Sequence, residues 1–410
     1  MEKITRNFEN AKFWSRNSKV LVVTEVLFGI PTSWVFFYQP IFMKNMGLSE
    51  VLIGFFATLP LIFQMFLPVL GGFLADRYGR KRVLMLFDTI GWTGTMSIWF
   101  VAREPWQIIV AMLFQGLTTT TYGVWETLLL EDTEQPYRPS IYCSIQIIYV
   151  FAGLLTPIAG VLVSSYGVEQ GCRNMFLIAL VNIATMFIIR QVFLGESKIG
   201  KILSSQNTQN TSPSGSGYTN VMKIVREHKK LLILFALAII GSMQYPLFNT
   251  FRPLYLSDSR ALGLDEGIIS IIPMASSIPS IIALSFIIPR LRHEHIRRAL
   301  LFSYMCGLLG LATFIIAPRG SLILAVLSAL LDSARFVAIF SILRAFIANT
   351  IDEIDPFARS KIMSLIYALS ALASWPIPII GGYLYAADPV LPFVLGAMFL
   401  AASIGLTLNI

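Results

Sequence analysis

Apolar runs long enough to cross a bilayer recur twelve times along this 410-residue chain. They lie at roughly 20–43, 51–75, 83–102, 107–130, 140–164, 174–194, 231–257, 266–289, 299–317, 321–348, 361–386 and 389–409. About 20 largely apolar residues are enough for a helix to span the hydrocarbon core. One such run is compatible with a buried core helix, but twelve in series predict an all-α polytopic membrane protein. Composition agrees. The chain is 55% apolar and 13% charged, against about 25% charged for a soluble domain. Too little polar surface remains to coat a water-soluble globule, and disorder, collagen and a coiled-coil rod are excluded.

The net charge of +8 would suggest nucleic acid for a soluble protein. Its distribution argues otherwise. Of 31 Lys and Arg, 23 fall in the N-terminal segment and even-numbered loops, with Arg190 counted to the loop it borders. Lys44, Arg103, Arg173, Arg260 and Arg319 fall in odd-numbered loops, and Arg252, Arg335 and Arg344 lie inside runs. The positive-inside bias predicts a cell-membrane protein with both termini cytoplasmic and no nucleic-acid partner. Cys143, Cys172 and Cys306 are widely spaced and odd in number, which argues against a disulfide framework or a zinc site. No cleavable signal peptide is expected, because the first apolar run is too long for one.

The longest loop, 195–230, contains the polar stretch SSQNTQNTSPSGSG at 204–217, which reads as flexible linker. Asn220–Lys230 has the composition of a short basic surface helix. This loop divides the chain into an N-terminal segment at 1–19, a six-helix bundle at 20–194, the linker, and a second six-helix bundle at 231–410. The halves resemble each other. QPIFM (39–43) matches RPLYL (252–256), GLSE (47–50) matches GLDE (263–266), and Pro157-Ile-Ala-Gly160 matches Pro378-Ile-Ile-Gly381, all in the same order. Pseudo-symmetric halves are a recurrent transporter plan.

The loop after the second run reads Gly72-Phe-Leu-Ala-Asp76-Arg77-Tyr-Gly79-Arg80-Lys81-Arg82. It closely resembles the signature loop of the major facilitator superfamily: Gly, three residues, Asp-Arg, one residue, Gly, then basic residues. With the six-plus-six repeat, the resemblance covers nearly the whole chain. In physical terms, Gly72 would let two helices approach closely, and Gly79 would permit a tight turn. Asp76 would face a helix N-terminus near Ser360. Arg80, Lys81 and Arg82 would pair with Glu131 and Asp132. Such a latch would hold one side shut and release as the halves rock; the alternative is a basic loop that only sets topology. In the second half, Pro289–Arg298 keeps basic residues without the Gly-x-x-x-Asp core, and Asp352, Glu353 and Asp355 are expected near it. All three histidines fall in or beside loops, so no intramembrane histidine relay is expected.

The resemblance implies that runs 1, 4, 7 and 10 line a central cavity, where ionisable residues are costly and functional by default. In run 4, Gln115, Thr119, Tyr122 and Glu126 share one helical face. Glu126 is the first candidate for a protonatable coupling or substrate-binding residue; its rival role is a structural carboxylate near the boundary. In run 1, Glu25, Thr32, Phe36 and Gln39 share a face. In run 7, Tyr245, Asn249 and Arg252 form a stripe, with Arg252 a site for an anionic group, an outer gate or an interfacial anchor. In run 10, Asp332 and Arg335 neutralise one another. Arg344 is the approximate counterpart of Glu126, either bridging to it or snorkelling to the cytoplasm. Asp88 belongs with the signature loop. Trp34, Phe36, Phe37, Tyr38, Phe248, Phe251 and Tyr255 supply apolar wall or packing.

Drug/proton antiporters of this superfamily usually carry an Arg three residues before the run-4 Gln-Gly pair; that position is Met112 here. Their run-5 Gly-Pro-x-x-Gly-Gly element reads Thr156-Pro157-Ile-Ala-Gly160-Val161, lacking its first and last Gly. No nucleotide-binding, zinc or nucleophile motif is present. The chain is therefore expected to be a non-enzymatic, cofactor-free secondary transporter working by alternating access. Its expected partners are a small molecule, protons and the bilayer, and it is expected to act as a monomer. Proton-coupled export of amphipathic or cationic compounds is the leading expectation. Transport of a small organic anion or nutrient is the alternative, and a non-transporting receptor is more remote.

Overall fold

The computed structural model describes residues 11–198, 200–201, 225–291, 293–354 and 359–410. No strand occurs among them. The helices are α1 (Arg16–Asn45), α2 (Glu50–Tyr78), α3 (Arg80–Asp88, a π-turn at Thr89–Thr93, then Gly94–Val101), α4 (Pro105–Leu130), α5 (138–166) and α6 (168–193). They continue with α7 (Lys229–Ser257), α8 (Ile268–Ile287), α9 (Ile296–Ile316), α10 (Leu322–Val337, a π-turn at Ala338–Ile342, then Leu343–Ile354), α11 (Arg359–Ser374 and Ile377–Ala387) and α12 (Leu391–Leu408). Among the described residues, nine continuous helices are long and apolar enough to span a membrane, one of them covering α5 and α6 together. The helices over the third and tenth runs are interrupted by π-turns and carry Asp88 and Asp332, Arg335 and Arg344. Large side chains such as Ile323, 81% exposed, stand outward, as lipid contact requires.

Local chemistry sets the helix ends. Ser15 caps α1 by accepting from the Ser18 N–H at 3.1 Å. Glu104 and Gln107 form a reciprocal capping box on α4, with Pro105 in its first turn. Gly167, at φ 77°, separates α5 from α6. The GLSE and GLDE repeats use the same backbone device. Gly47 and Gly263 adopt φ 83° and 60° just after α1 and α7, a region open to glycine at little cost. The following Leu48 and Leu264 are buried in both copies.

The chain forms two compact units. One holds residues up to Leu48 and from Leu59 through α6, and the other holds Ser49–Thr58 and α7–α12. In the first unit, Trp14, Leu21, Leu84, Leu128, Leu129 and Ile141 build a core at the end where α1 begins and α4 finishes. Trp14 Nε1 donates to Ser140 Oγ at 2.8 Å and Ser18 Oγ to the Leu129 carbonyl at 2.6 Å. In the second unit, Tyr255, Phe314 and Phe393 pack with ring centroids 4.8–5.2 Å apart. The boundary falls inside α2 because its first turns are bound into the second unit. A Cβ on Gly54 would lie 2.2 Å from the Pro378 carbonyl oxygen, and one on Gly382 2.7 Å from that of Glu50. Glu50 also pairs with Arg260.

Candidate functional site

The signature loop is a built junction. Gly79 turns between α2 and α3 at φ 96°. This leaves the first N–H groups of α3 without helical partners, and the Glu196 carboxylate fills the need. Its Oε1 accepts from the Arg80 N–H and its Oε2 from the Lys81 N–H, both at 3.0 Å. The arrangement also suits the positive end of the helix dipole. Arg80 is buried and pairs with Glu131. Burial pulls its guanidinium below the ordinary value, while Asp76, Glu196 and Asp132 push back. Lys81 Nζ donates to the Gln191 carbonyl at 2.9 Å, and Asp132 accepts from the Lys198 N–H at 3.2 Å. Asp76, Arg77 and Arg82 are exposed, with Asp76 3.9 Å from Arg80.

Two details differ from the sequence expectation. The close helix approach is at Gly71, where a Cβ would sit 1.7 Å from the Thr120 carbonyl oxygen; Gly72 has open space beside it. Neighbouring residues point about 100° apart on a helix, so the two glycines serve different faces. Glu196, which anchors the turn, was missed; its only signal is a lone acid just after the sixth apolar run. In the second unit, Glu353 meets Lys230 at 3.8 Å. Asp355 and the side chains of Asp352 and Ser360 lie outside the described residues, as do 204–217 and the start of 220–230.

In α1, Glu25, Thr32 and Gln39 are buried, and Phe36 is half-buried near Trp92. Glu25 Oε2 accepts from Arg190 NH2 at 2.7 Å, and its Oε1 from the Tyr149 hydroxyl at 2.6 Å. Arg190 Nε donates to Thr24 Oγ1 at 2.9 Å. Arg190 lies within the apolar stretch 174–194 rather than in the loop beyond it, and that position is its sequence signal.

The α4 stripe splits. Thr119 is buried and donates to the Gly116 carbonyl at 2.7 Å, Gln115 is half-buried, and Tyr122 and Glu126 are exposed. The cause is the tightened turn at Thr118–Thr121. A 3-10 turn advances about 120° per residue against about 100° in an α-helix, so the face counted along an ideal helix changes phase there. Glu126 accepts a hydrogen bond from the Tyr142 hydroxyl of α5. Within its own unit, no cation of the described residues lies within ion-pair distance of it. Asp88 is buried and accepts from the Thr121 hydroxyl.

In the second unit, Tyr245 and Asn249 are exposed along α7, as is Arg344 on α10. Arg252 is engaged instead. Its NH1 donates to Asp332 Oδ2 at 2.8 Å and its NH2 to Ser328 Oγ at 3.2 Å. Arg335 Nε donates to Asp332 Oδ1 at 2.5 Å. The Asp332–Arg335 pair is the one that i, i+3 spacing suggested; the third member, Arg252, comes from another helix.

The sequence model of the Major Facilitator Superfamily matches residues 21–375. A "Na(+), Li(+), K(+)/H(+) antiporter" of Planococcus maritimus is 22% identical over 258 residues, covering 60% of this chain and 59% of that protein. "Multidrug resistance protein MdtH" of Proteus mirabilis is 26% identical over 128 residues, covering 30% of each. The matched stretches thus span less than two thirds of these relatives. The crystal structure of nucleoside transporter NupG superposes with a TM-score of 0.68 at 17% identity, covering 96% of this chain and 98% of that one. The matched model covers most of the chain and the fold agrees from end to end: the chain belongs to the Major Facilitator Superfamily of membrane transporters.

Proposed function

We propose that the protein is a proton-coupled exporter of amphipathic or cationic compounds, working by alternating access in the cell membrane with both termini cytoplasmic. Glu126 carries this reading. It is an exposed carboxylate within an apolar helix, held by the neutral Tyr142 hydroxyl and flanked by exposed Tyr122. A carboxylate without a paired cation takes up a proton without stranding a partner's charge in the apolar interior. That is what coupling a proton to a cationic substrate needs. Glu25 lacks this property, because its protonation would leave the buried Arg190, 2.7 Å away, without its counter-ion. The names of the two relatives, an ion/proton antiporter and a multidrug resistance protein, support the same class.

Transport of a small organic anion, the alternative, relied on Arg252 and Arg344. With Arg252 tied to Asp332 and Ser328, cation export is favoured. The test is movement of a fluorescent lipophilic cation in proteoliposomes under an imposed proton gradient. The expected result is gradient-dependent accumulation by the wild type. A cation that stays equilibrated across the membrane despite the gradient would reject the proposal.

A further inference from the structure

Helices α7 and α10 hold a charge that their own side chains do not cancel. Asp332 accepts from Arg252 and, through both its oxygens, from Arg335 at 2.5 and 2.9 Å. Two guanidinium groups share one carboxylate, so the cluster carries a net +1 inside the apolar part of the chain, where an uncompensated charge is costly. The hydrogen bonds lean the same way. Arg252 Nε and Gln244 Nε2 are buried and meet no protein acceptor among the described residues. Gln244 cannot relieve this by turning over. Its Oε1 accepts from Arg335 NH1 at 3.3 Å, and the opposite orientation would set donor against donor. The rings of Phe248 and Phe314 lie 4.6 and 5.2 Å from the Arg335 and Arg252 guanidinium carbons. They soften the positive charge without supplying a negative one.

A cavity of about 10 Å³ adjoins this cluster, with Arg252, Asp332 and Ser328 on its polar side and Phe248, Phe314 and Phe393 on its apolar side. That volume suits a single water-sized particle. It is too small for an organic carboxylate or a phosphate.

We propose that the cluster binds one small monovalent anion of halide size, held against Arg252 in this cavity. The anion lies in the cavity that Arg252 lines and brings the set to two positive and two negative charges. Water would satisfy the donors and leave the charge, so the two occupants differ in a measurable way. The site lies wholly within the second unit and is distinct from the Glu126 region.

The test is the thermal unfolding midpoint of the purified full-length chain, with chloride exchanged for gluconate at constant ionic strength. The wild-type midpoint is expected to rise with the logarithm of chloride concentration. Arg252→Gln makes the cluster neutral and removes a charged donor, so the apparent chloride affinity should weaken at least about tenfold. Asp332→Asn raises the cluster to +2 and should keep or strengthen the response, and Arg252→Lys should retain it. A chloride-independent wild-type midpoint, or equal responses in wild type and Arg252→Gln, would overturn the proposal. Should Arg252→Gln fail to fold, a weaker response in Asp332→Asn than in wild type overturns it equally.

Discussion

Glu25 on α1 and Arg190 on α6 form a buried ion pair at 2.7 Å, 165 residues apart in sequence. Tyr149 and Thr24 complete its hydrogen bonds. The pair joins the first and last helices of the first unit.

Removing one partner strands the other in an apolar interior. Arg190→Leu should therefore lower stability by about 3–5 kcal/mol. Adding Glu25→Gln to that variant should recover a large part of the loss. Thermal unfolding of the two single variants and the double variant measures this. Additive losses would mean that the pair does not act as a unit.

Gly71 and Gly72 are adjacent and should answer oppositely to the same change. Gly71→Ala drives a Cβ toward the Thr120 backbone carbonyl, so α2 and α4 must separate, and a loss of at least about 1–3 kcal/mol is expected from overpacking. Gly72→Ala meets open space and should be neutral or stabilising by up to about 1 kcal/mol through helix propensity. The yield and unfolding midpoint of each variant in detergent decide between them.

These two glycines also show what a linear reading can reach. The apolar runs and the signature loop were legible because each is written in contiguous residues. Gly79 was legible because a turn needs its positive φ. The partners were not. Arg190 reads as a loop cation until α6 is placed beside α1, and Arg252 reads as an unpaired cation until Asp332 meets it from α10. Gly71 rather than Gly72 faces α4 because of rotation about a helix axis that no motif records. Thr119 left the α4 stripe because one 3-10 turn shifted the phase.

The Asp258–Arg260–Glu50 cluster should be sensitive to acid. Burial raises the Asp258 carboxyl, but hydrogen bonds and charge from Arg260, with the Tyr385 hydroxyl, outweigh it and hold it below the ordinary 3.8. A depressed carboxylate stabilises the fold above its unfolded value and loses that contribution as pH falls through the folded one. Its contribution should therefore be full at neutral pH and vanish only below about pH 3.8. Arg260 is 45% exposed, so Arg260→Gln should cost no more than about 1 kcal/mol at pH 7. Unfolding midpoints of both proteins should converge in acid; a gap that widens there contradicts the assignment.

The Glu196 cap ties α3 to the segment after α6. Glu196→Ala leaves two helix N–H groups without their acceptor and should cost about 1–2 kcal/mol. Glu196→Gln keeps an acceptor oxygen and should cost less. Unfolding midpoints that rank the three proteins in any other order contradict the capping role.

Glu126 is proposed to carry the coupled proton. The direct measurement is proton movement driven by a lipophilic cation gradient in proteoliposomes, for wild type and Glu126→Gln at matched protein content and matched unfolding midpoint. Cation-dependent proton flux is expected in the wild type and none in Glu126→Gln. Equal flux in both proteins would contradict it.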